Sequence, residues 1–169
     1  MEITFKSKTN KLDKLIRKLN DTKTLCVEVG ILGPQARQIH PSTAEDEKKY
    51  TVGRIGRIHE YGVYKENVRI PERSFLRWPI WDDLFWNLVQ RYQGKSIVWN
   101  LLFDRAEFAA MLGATAVKVV QEAFDRGGST KRTWQSLNSR YAKTKTTQQI
   151  LVETETLRRS ISYRMGENA

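Results

Sequence analysis

The chain has 169 residues, of which 40% are hydrophobic and 28% charged, and its formal net charge is +10. This length favours one compact domain, and the composition argues against a disordered chain. The one cysteine, Cys26, excludes an internal disulfide framework, and no apolar run is long enough to cross a bilayer. We therefore expect a protein that folds in a reducing cytoplasm and has no membrane partner.

Helix and strand patterns alternate in the first half of the chain. Residues 2–5 predict a short strand, and leucine and isoleucine at three- and four-residue spacing within residues 10–19 predict an amphipathic helix. Residues 25–32 predict a strand, interpreted as central because both of its faces are apolar. Residues 34–50 lack periodicity and predict a mobile loop, whereas residues 51–61 predict a second helix.

The second half of the chain is dominated by helical patterns. An aromatic-rich stretch predicts an extended entry and then a helix over residues 78–92. The clearest helix spans residues 104–124, with Asp104 as its N-cap, and is closed by two glycines at 127–128. A short helix within residues 134–141 and a helical turn followed by a strand within residues 157–165 complete the pattern.

These elements predict a single α+β domain over residues 1–169. Its small, mainly antiparallel sheet is expected to come from the regions of Leu25, Ile70 and Ile161, and several helices pack against it. Lysine and arginine are frequent near both ends, and residues 129–169 are interpreted as a basic interaction segment. The net charge predicts an acidic partner, either a nucleic acid or a protein surface, and a merely solvated basic face is the simplest alternative.

Residue types that perform chemistry are few in this sequence. His40 and His59 are the two histidines, and they and the cysteine lack the spacing of metal ligands, so neither a metal nor a cofactor is expected. The pair His59 and Glu60 could suggest a general base, but consecutive residues on a helix do not face each other. We therefore expect no enzyme activity, with a small hydrolase that uses His59 as the weakest alternative.

Three of the five tryptophans lie within residues 78–86. Trp81 has helical spacing with Leu84, Phe85 and Leu88, which predicts packing against the core. Trp78, Trp86 and Trp99 fall outside that stripe. Because tryptophan is enriched at protein interfaces, this surface is interpreted as an oligomer interface.

Two segments carry a recognisable pattern. Residues 55–62 read Ile-Gly-Arg-Ile-His-Glu-Tyr-Gly and are followed at residues 69–77 by Arg-Ile-Pro-Glu-Arg-Ser-Phe-Leu-Arg. The second segment begins at Trp134-Gln-Ser-Leu and continues from Ile150 to Tyr163. Together they resemble the phage virion morphogenesis family, which contains tail-completion and head-tail joining (neck) proteins of long-tailed bacteriophages.

The resemblance implies a structural virion protein that forms a ring, expected to be a hexamer, at the tail end or the head-tail junction. Such a ring would end assembly of the tail tube, as a tail terminator does, and would dock the tail to the head connector or neck proteins, with DNA passing through its lumen. It would lie in the host cytoplasm during assembly and in the virion afterwards. The runner-up interpretation, from charge, is a basic nucleic-acid-binding protein.

Two parts of these motifs predict subunit contacts. In the first motif an aromatic-aliphatic pair stands between two arginines, and in the second an inward leucine and isoleucine flank two outward arginines. A ring of identical subunits needs two complementary faces on each chain. The residues predicted to contact a neighbour are Arg73, Phe75, Leu76, Arg77, Trp78, Trp81, Leu157, Arg158, Arg159 and Ile161.

The sequence departs from the family pattern at one turn. Glu153 and Glu155 stand where the family has an acidic residue and a glycine before the leucine. Any left-handed backbone at that turn must therefore be formed without glycine.

Overall fold

A computed structural model describes residues 25–41, 49–93, 104–143, 150–151 and 155–167, together with residues 13, 14, 16, 17 and 20. The last five are helical, in agreement with the amphipathic helix predicted there. The strand predicted at residues 2–5 and Trp99 lie outside the described residues.

The described residues form helices and two small antiparallel sheets, which confirms the α+β class. In chain order the elements are β1 (Leu25–Ile31), α1 (Gly33–Arg37), α2 (Val52–Tyr61), β2 (Val63–Lys65), β3 (Val68–Ile70), α3 (Arg77–Ile80), α4 (Asp83–Gln93), α5 (Arg105–Arg126), α6 (Ser139–Ala142), α7 (Thr156–Arg159) and β4 (Ile161–Glu167). Within this described part, no helix is both long and apolar enough to pass through a lipid bilayer.

The first sheet pairs the two ends of the described chain. β1 and β4 run antiparallel, with Val29 opposite Tyr163 and Ile31 opposite Ile161. Both strands pack against α5, where a Cβ on Gly113 would lie 2.1 Å from the Tyr163 ring. Glycine at this position therefore lets the sheet approach the helix closely.

The prediction that Ile70 joins this sheet is wrong. Ile70 ends β3, which pairs with β2 as a separate hairpin that places Val63 opposite Ile70. The reason is local, because Glu66 and Asn67 form a two-residue turn that lets adjacent segments pair. Among the described strands β1 pairs only with β4, so the prediction of a central strand is also not confirmed.

Part of the predicted loop is ordered structure. Residues 33–37 form α1, in which Pro34 lies in the first turn, where its missing N–H costs nothing. Ile39 then forms a bridge with Thr51. The prediction of an irregular segment over 34–50 is therefore wrong at its start, and residues 42–48 lie outside the described part.

The helix predicted over residues 78–92 is two helices, α3 and α4. They meet at Trp81 and Asp82, and the Asp82 carboxylate accepts hydrogen bonds from the Thr130 hydroxyl and from the Thr130 N–H at 2.7 Å. This carboxylate also accepts a bond from the Leu84 N–H at 3.5 Å. The Asp82 side chain thus binds both the turn at Thr130 and the first residues of α4. These hydrogen bonds explain why the chain bends between α3 and α4.

Helix α5 forms as its sequence predicts and lies at the centre of the fold. The Asp104 side chain accepts a hydrogen bond from the Glu107 N–H at 3.2 Å, and Gly127 closes the helix with a φ of +70°. α5 packs against the first sheet, α3 and α4. The main core cluster comprises Val52, Phe75, Val120, Ala123, Phe124, Trp134, Leu157 and Ile161.

Candidate functional site

The buried carboxylate of Glu60 joins the two parts of the first motif. Its Oε1 accepts hydrogen bonds from Ser74 Oγ at 2.7 Å and from the Arg77 N–H at 3.1 Å. Its Oε2 accepts bonds from the N–H groups of Phe75 at 2.9 Å and Leu76 at 3.0 Å. A buried carboxylate is stable only with such partners. These contacts, together with that of the Arg77 side chain, are called the Glu60 anchor below.

Arg77 completes the anchor from the other side. Its Nε lies 2.9 Å from Glu60 Oε1, and its Nη2 lies 2.6 Å from Glu72 Oε1. Desolvation lowers the pKa of Arg77, but the hydrogen bond and negative charge of Glu60, together with Glu72, outweigh it and raise that pKa. The guanidinium also lies 4.4 Å from the centre of the Tyr61 ring. Arg77 thus pairs with two carboxylates of its own chain, and its predicted contact with a neighbouring subunit stays a prediction.

Two glycines of the first motif allow close packing around the anchor. A Cβ on Gly56 would lie 2.4 Å from Ile31 Cδ1, so a larger residue there would force the end of the Ile31 side chain to shift. Gly62 ends α2 with a φ of +70°, and a Cβ there would lie 2.9 Å from the Ile70 carbonyl oxygen. Both positions therefore favour glycine for steric reasons.

The structure brings the two motifs together, although they are far apart in the sequence. Trp134 Nε1 donates a hydrogen bond to the Ser74 carbonyl at 3.1 Å. Arg73 Nε donates to the Gln135 carbonyl at 3.2 Å. Leu157 of the second motif packs in the same core cluster as the first motif's aromatic ring, Phe75. The residues that carry the family resemblance thus form one connected unit.

Four of the ten predicted contact residues are buried inside the chain. Arg73 is 6% exposed and Phe75 is fully buried, so the prediction that they anchor on a neighbouring subunit is wrong. Phe75 instead lies 5.3 Å from the Phe124 ring, centroid to centroid. Leu157 and Ile161 point inward, as their pattern predicts, and for that reason they offer no contact surface either.

The remaining predicted residues lie nearer the surface. Leu76 and Trp78 are half-buried against the core. Arg158 Nη2 lies 2.8 Å from Asp125 Oδ2, and Arg159 Nη2 lies 3.0 Å from Glu155 Oε2. Both arginines are therefore already paired with carboxylates of their own chain.

Trp81, also among the predicted contact residues, is largely exposed. Its side chain is 74% exposed, so the prediction that it packs with Leu84, Phe85 and Leu88 is wrong. The break between α3 and α4 accounts for this, because it removes Trp81 from the periodicity of the second helix. Trp81 lines a groove of about 380 Å³ formed by residues of β1, α2 and α3.

The turn at Glu155, where the resembled pattern has glycine, has a left-handed backbone. Glu155 precedes α7 with a φ of +51° and a ψ of 3°, in the left-handed region. Leu151 also has a positive φ, of 64°. Non-glycine residues adopt this region at a cost of roughly 1–2 kcal/mol each. The family's glycine position therefore coincides with a strained residue in this chain.

Sequence analysis did not identify the outer face of α2 as a candidate surface. Arg54, Arg57 and Tyr61 are spaced three and four residues apart and are exposed on one side of the helix. With Gly53, Ile58, Gly62 and Val63 they line a groove of about 740 Å³. The three- and four-residue spacing is visible in the sequence, but only the folded chain shows that these side chains share one exposed face.

The two histidines line one cavity of about 730 Å³, although 18 residues separate them along the chain. Arg69 and Arg73 line the same cavity. Within the ranges that the structure describes, no group of histidine, cysteine and carboxylate side chains is arranged to hold a metal ion. Nothing in the sequence spacing indicated that His40 and His59 would share a cavity.

The charged groups of the predicted basic segment, residues 129–169, are largely neutralised where they are described. Lys131 Nζ lies 2.7 Å from Asp83 Oδ2, and Arg164 Nε lies 2.6 Å from Glu28 Oε2. These contacts raise the pKa of both basic groups, chiefly through the hydrogen bond to the carboxylate. Lys131 and Arg164 are thus paired with carboxylates of their own chain.

Comparison of the chain with models of known families, with curated proteins and with solved structures finds no match. The resemblance therefore rests on the two sequence motifs alone.

Proposed function

We propose that the chain is a non-enzymatic structural protein of a tailed bacteriophage virion that assembles as a ring at the tail end or the head-tail junction. In this role it ends assembly of the tail tube and docks the tail to the head connector. The observation that carries the proposal is the convergence of the two motifs on the Glu60 anchor and the Phe75 cluster. A sequence signature that builds the core of a fold is expected to be shared by proteins with that fold.

Exposed aromatic side chains support assembly into an oligomer. Trp81, Trp86 and Tyr64 are 74%, 55% and 70% exposed in the single chain. Large aromatic residues at the surface are typical of protein interfaces, in which they supply much of the binding energy. Their partners in this proposal are further copies of the chain and the adjoining tail-tube and connector proteins.

The test is the mass of the purified protein, measured by light scattering at low and moderate salt, with the particles imaged by electron microscopy. We expect a closed ring with the mass of a small whole number of chains. Trp81→Ala is expected to shift the ring toward single chains, because truncation of an aromatic anchor typically costs at least about 2 kcal/mol of binding.

The matched control is the stability of the same variant, which should be unchanged because Trp81 is exposed. A protein that stays a single chain at all concentrations, and also in the presence of purified tail tubes, would contradict the proposal.

A basic nucleic-acid-binding protein is the second candidate function. It is favoured by the net charge of +10 and by the exposed arginines Arg54 and Arg57. This candidate predicts a single chain that binds DNA with an affinity that falls steeply with salt. The same light-scattering measurement, repeated with DNA, distinguishes it from a ring that forms without DNA.

A further inference from the structure

The excess positive charge of the chain is not distributed evenly over its described surface. In the C-terminal part, Lys131, Arg158, Arg159 and Arg164 each lie within 3.0 Å of a carboxylate oxygen. Arg126 at the end of α5 is also paired, with Glu122 at 3.2 Å. Basic groups that are matched in this way contribute little attraction to an outside anion.

The basic groups around α2 differ, because they have no carboxylate partner among the described residues. Arg37, Lys49, Arg54 and Arg57 are exposed, and none of them forms an ion pair with another residue in the described ranges. The Arg54 guanidinium lies 4.5 Å from the centre of the Tyr50 ring, a contact that orients the group and leaves its charge available. Arg54 and Arg57 are thus exposed basic groups whose charge is not offset by a carboxylate of the described chain.

The two arginines of α2 are placed to act together. Residues three apart on a helix have Cβ atoms about 5–6 Å from each other, so Arg54 and Arg57 project side by side. Both line the groove of about 740 Å³ beside Tyr61, and its described lining contains no aspartate or glutamate. A guanidinium presents several N–H donors in a plane that matches a phosphate group.

We propose that the outer face of α2, with Arg54 and Arg57 at its centre, binds the phosphate backbone of double-stranded DNA without reading its sequence. Adjacent arginines on one helix face can contact successive phosphates of one strand, and such contacts need no apolar centre. An acidic protein is the competing occupant. It would be expected to dock through an apolar centre with a charged rim, whereas the two charged side chains of this groove, Arg54 and Arg57, are both cationic and lie three residues apart on one helix face.

Binding of DNA by this face of α2 does not require the ring. Which DNA the face meets in the virion, however, rests on the proposed function. In a ring at the tail end or the head-tail junction, DNA passes through the lumen, and this face of α2 would then line that lumen. Weak contacts that ignore sequence would suit a passage through which the genome must slide.

The experiment compares three forms of the full chain by fluorescence anisotropy of a short labelled DNA duplex, between about 50 and 200 mM salt. The first is the unaltered protein, the second is Arg54→Ala with Arg57→Ala, and the third is Arg126→Ala with Arg159→Ala. The third is a matched control, because it loses the same charge from arginines that are paired within the chain. Light scattering of each form reports whether the ring is present.

We expect the α2 double variant to bind DNA on the order of tenfold more weakly at the lower salt, with the slope of log affinity against log salt reduced by about 2. The control should keep the affinity and slope of the unaltered protein. An equal loss in both double variants, or no loss in the α2 variant, would overturn the assignment. Binding of polyglutamate through Arg54 and Arg57 in the absence of DNA binding would also overturn it.

The two proposals can fail separately in this experiment. A ring that forms in all three proteins and never binds DNA would leave the proposed function in place and remove the DNA surface. A single chain that binds DNA through Arg54 and Arg57 would keep the surface and remove the ring.

Discussion

The two faces of helix α2 have different roles, although the helix has only ten residues. On the inner face, Gly56 and Glu60 are buried, and the Glu60 carboxylate is surrounded by donors of its own chain. On the outer face, Arg54 and Arg57 are exposed and without a carboxylate partner among the described residues. One helix therefore contains both part of a structural anchor and a candidate contact surface.

This difference shows why the first motif cannot be treated as one functional unit. The acidic residue beside a histidine, which could suggest catalysis, has a structural role because its oxygens are occupied by Ser74, Phe75, Leu76 and Arg77. Arg54 and Arg57, on the opposite face of α2, make few contacts within the chain. Substitutions on the inner face are thus expected to change folding, whereas those on the outer face should change binding.

The largest effect is expected at the centre of the anchor. Glu60→Ala should destabilise the protein by about 3–5 kcal/mol, because it leaves several buried N–H groups and part of the Arg77 charge without a partner. Urea unfolding followed by tryptophan fluorescence measures this loss. Glu66→Ala, in the exposed hairpin turn, is the control and should change stability by less than about 0.5 kcal/mol. A loss below about 1 kcal/mol in Glu60→Ala would show that the anchor is not essential.

A second buried carboxylate, that of Asp82, lies at the junction of α3 and α4. Burial raises the pKa of Asp82, but hydrogen bonds from the hydroxyl and N–H of Thr130 and the N–H of Leu84 outweigh it and lower the pKa below its usual value. Its ionised form therefore stabilises the fold above the unfolded pKa of about 3.9, and this contribution is lost as the pH falls through the lower folded pKa. Asp82→Asn should cost about 1–3 kcal/mol at neutral pH.

The pH dependence separates this charge effect from a packing effect. The stability difference between the unaltered protein and Asp82→Asn should shrink as the pH is lowered below about 4. Urea unfolding at neutral and acidic pH measures it, and Asp83→Asn, at the neighbouring exposed carboxylate, serves as the control. A difference that stays constant with pH would mean that the Asp82 charge is not responsible.

A smaller and opposite effect is expected at the turn before α7. Glu155→Gly should stabilise the protein by about 0.5–1 kcal/mol, because it relieves the left-handed backbone of Glu155 at the cost of one exposed ion pair. Glu155→Ala removes the same ion pair and keeps the strained backbone, so it should give no gain. Thermal unfolding of the two variants tests this, and a glycine variant less stable than the alanine variant would contradict it.

The smallest change in stability is expected on the outer face of α2. Arg54→Ala together with Arg57→Ala should alter the free energy of unfolding by less than about 0.5 kcal/mol for each residue, since both side chains are exposed. Urea unfolding of the double variant provides the measurement. Should stability fall by more than about 2 kcal/mol, the outer face would be structural and the contrast between the two faces would be lost.

Local patterns predicted the elements well where periodicity and capping residues agree. α5 begins after Asp104 and ends at Gly127 as expected, and α2 ends at Gly62. These signals depend on residues a few positions apart, so they can be recognised without knowledge of the tertiary structure. The division of one predicted helix into α3 and α4 was not foreseen, because Thr130, a partner of the Asp82 side chain, is far away in the chain.

Site prediction was less successful for the same physical reason. The pattern around Phe75 predicted a contact segment, but the choice between an internal and an intersubunit contact depends on what lies opposite it. Phe124 and Trp134 fill that space in this chain. Arg73 is likewise used internally, by the Gln135 carbonyl.

The amino-acid sequence alone determined the α+β class, the main helices and the inward direction of Leu157. These properties follow from local backbone preferences and from the spacing of apolar residues. Tertiary structure alone decided which charged groups are satisfied. Glu60, Arg158 and Arg164 find partners that folding brings to them, whereas Arg54 and Arg57 meet no carboxylate in the described structure, because ion pairing between distant residues depends on distances that only the folded chain sets.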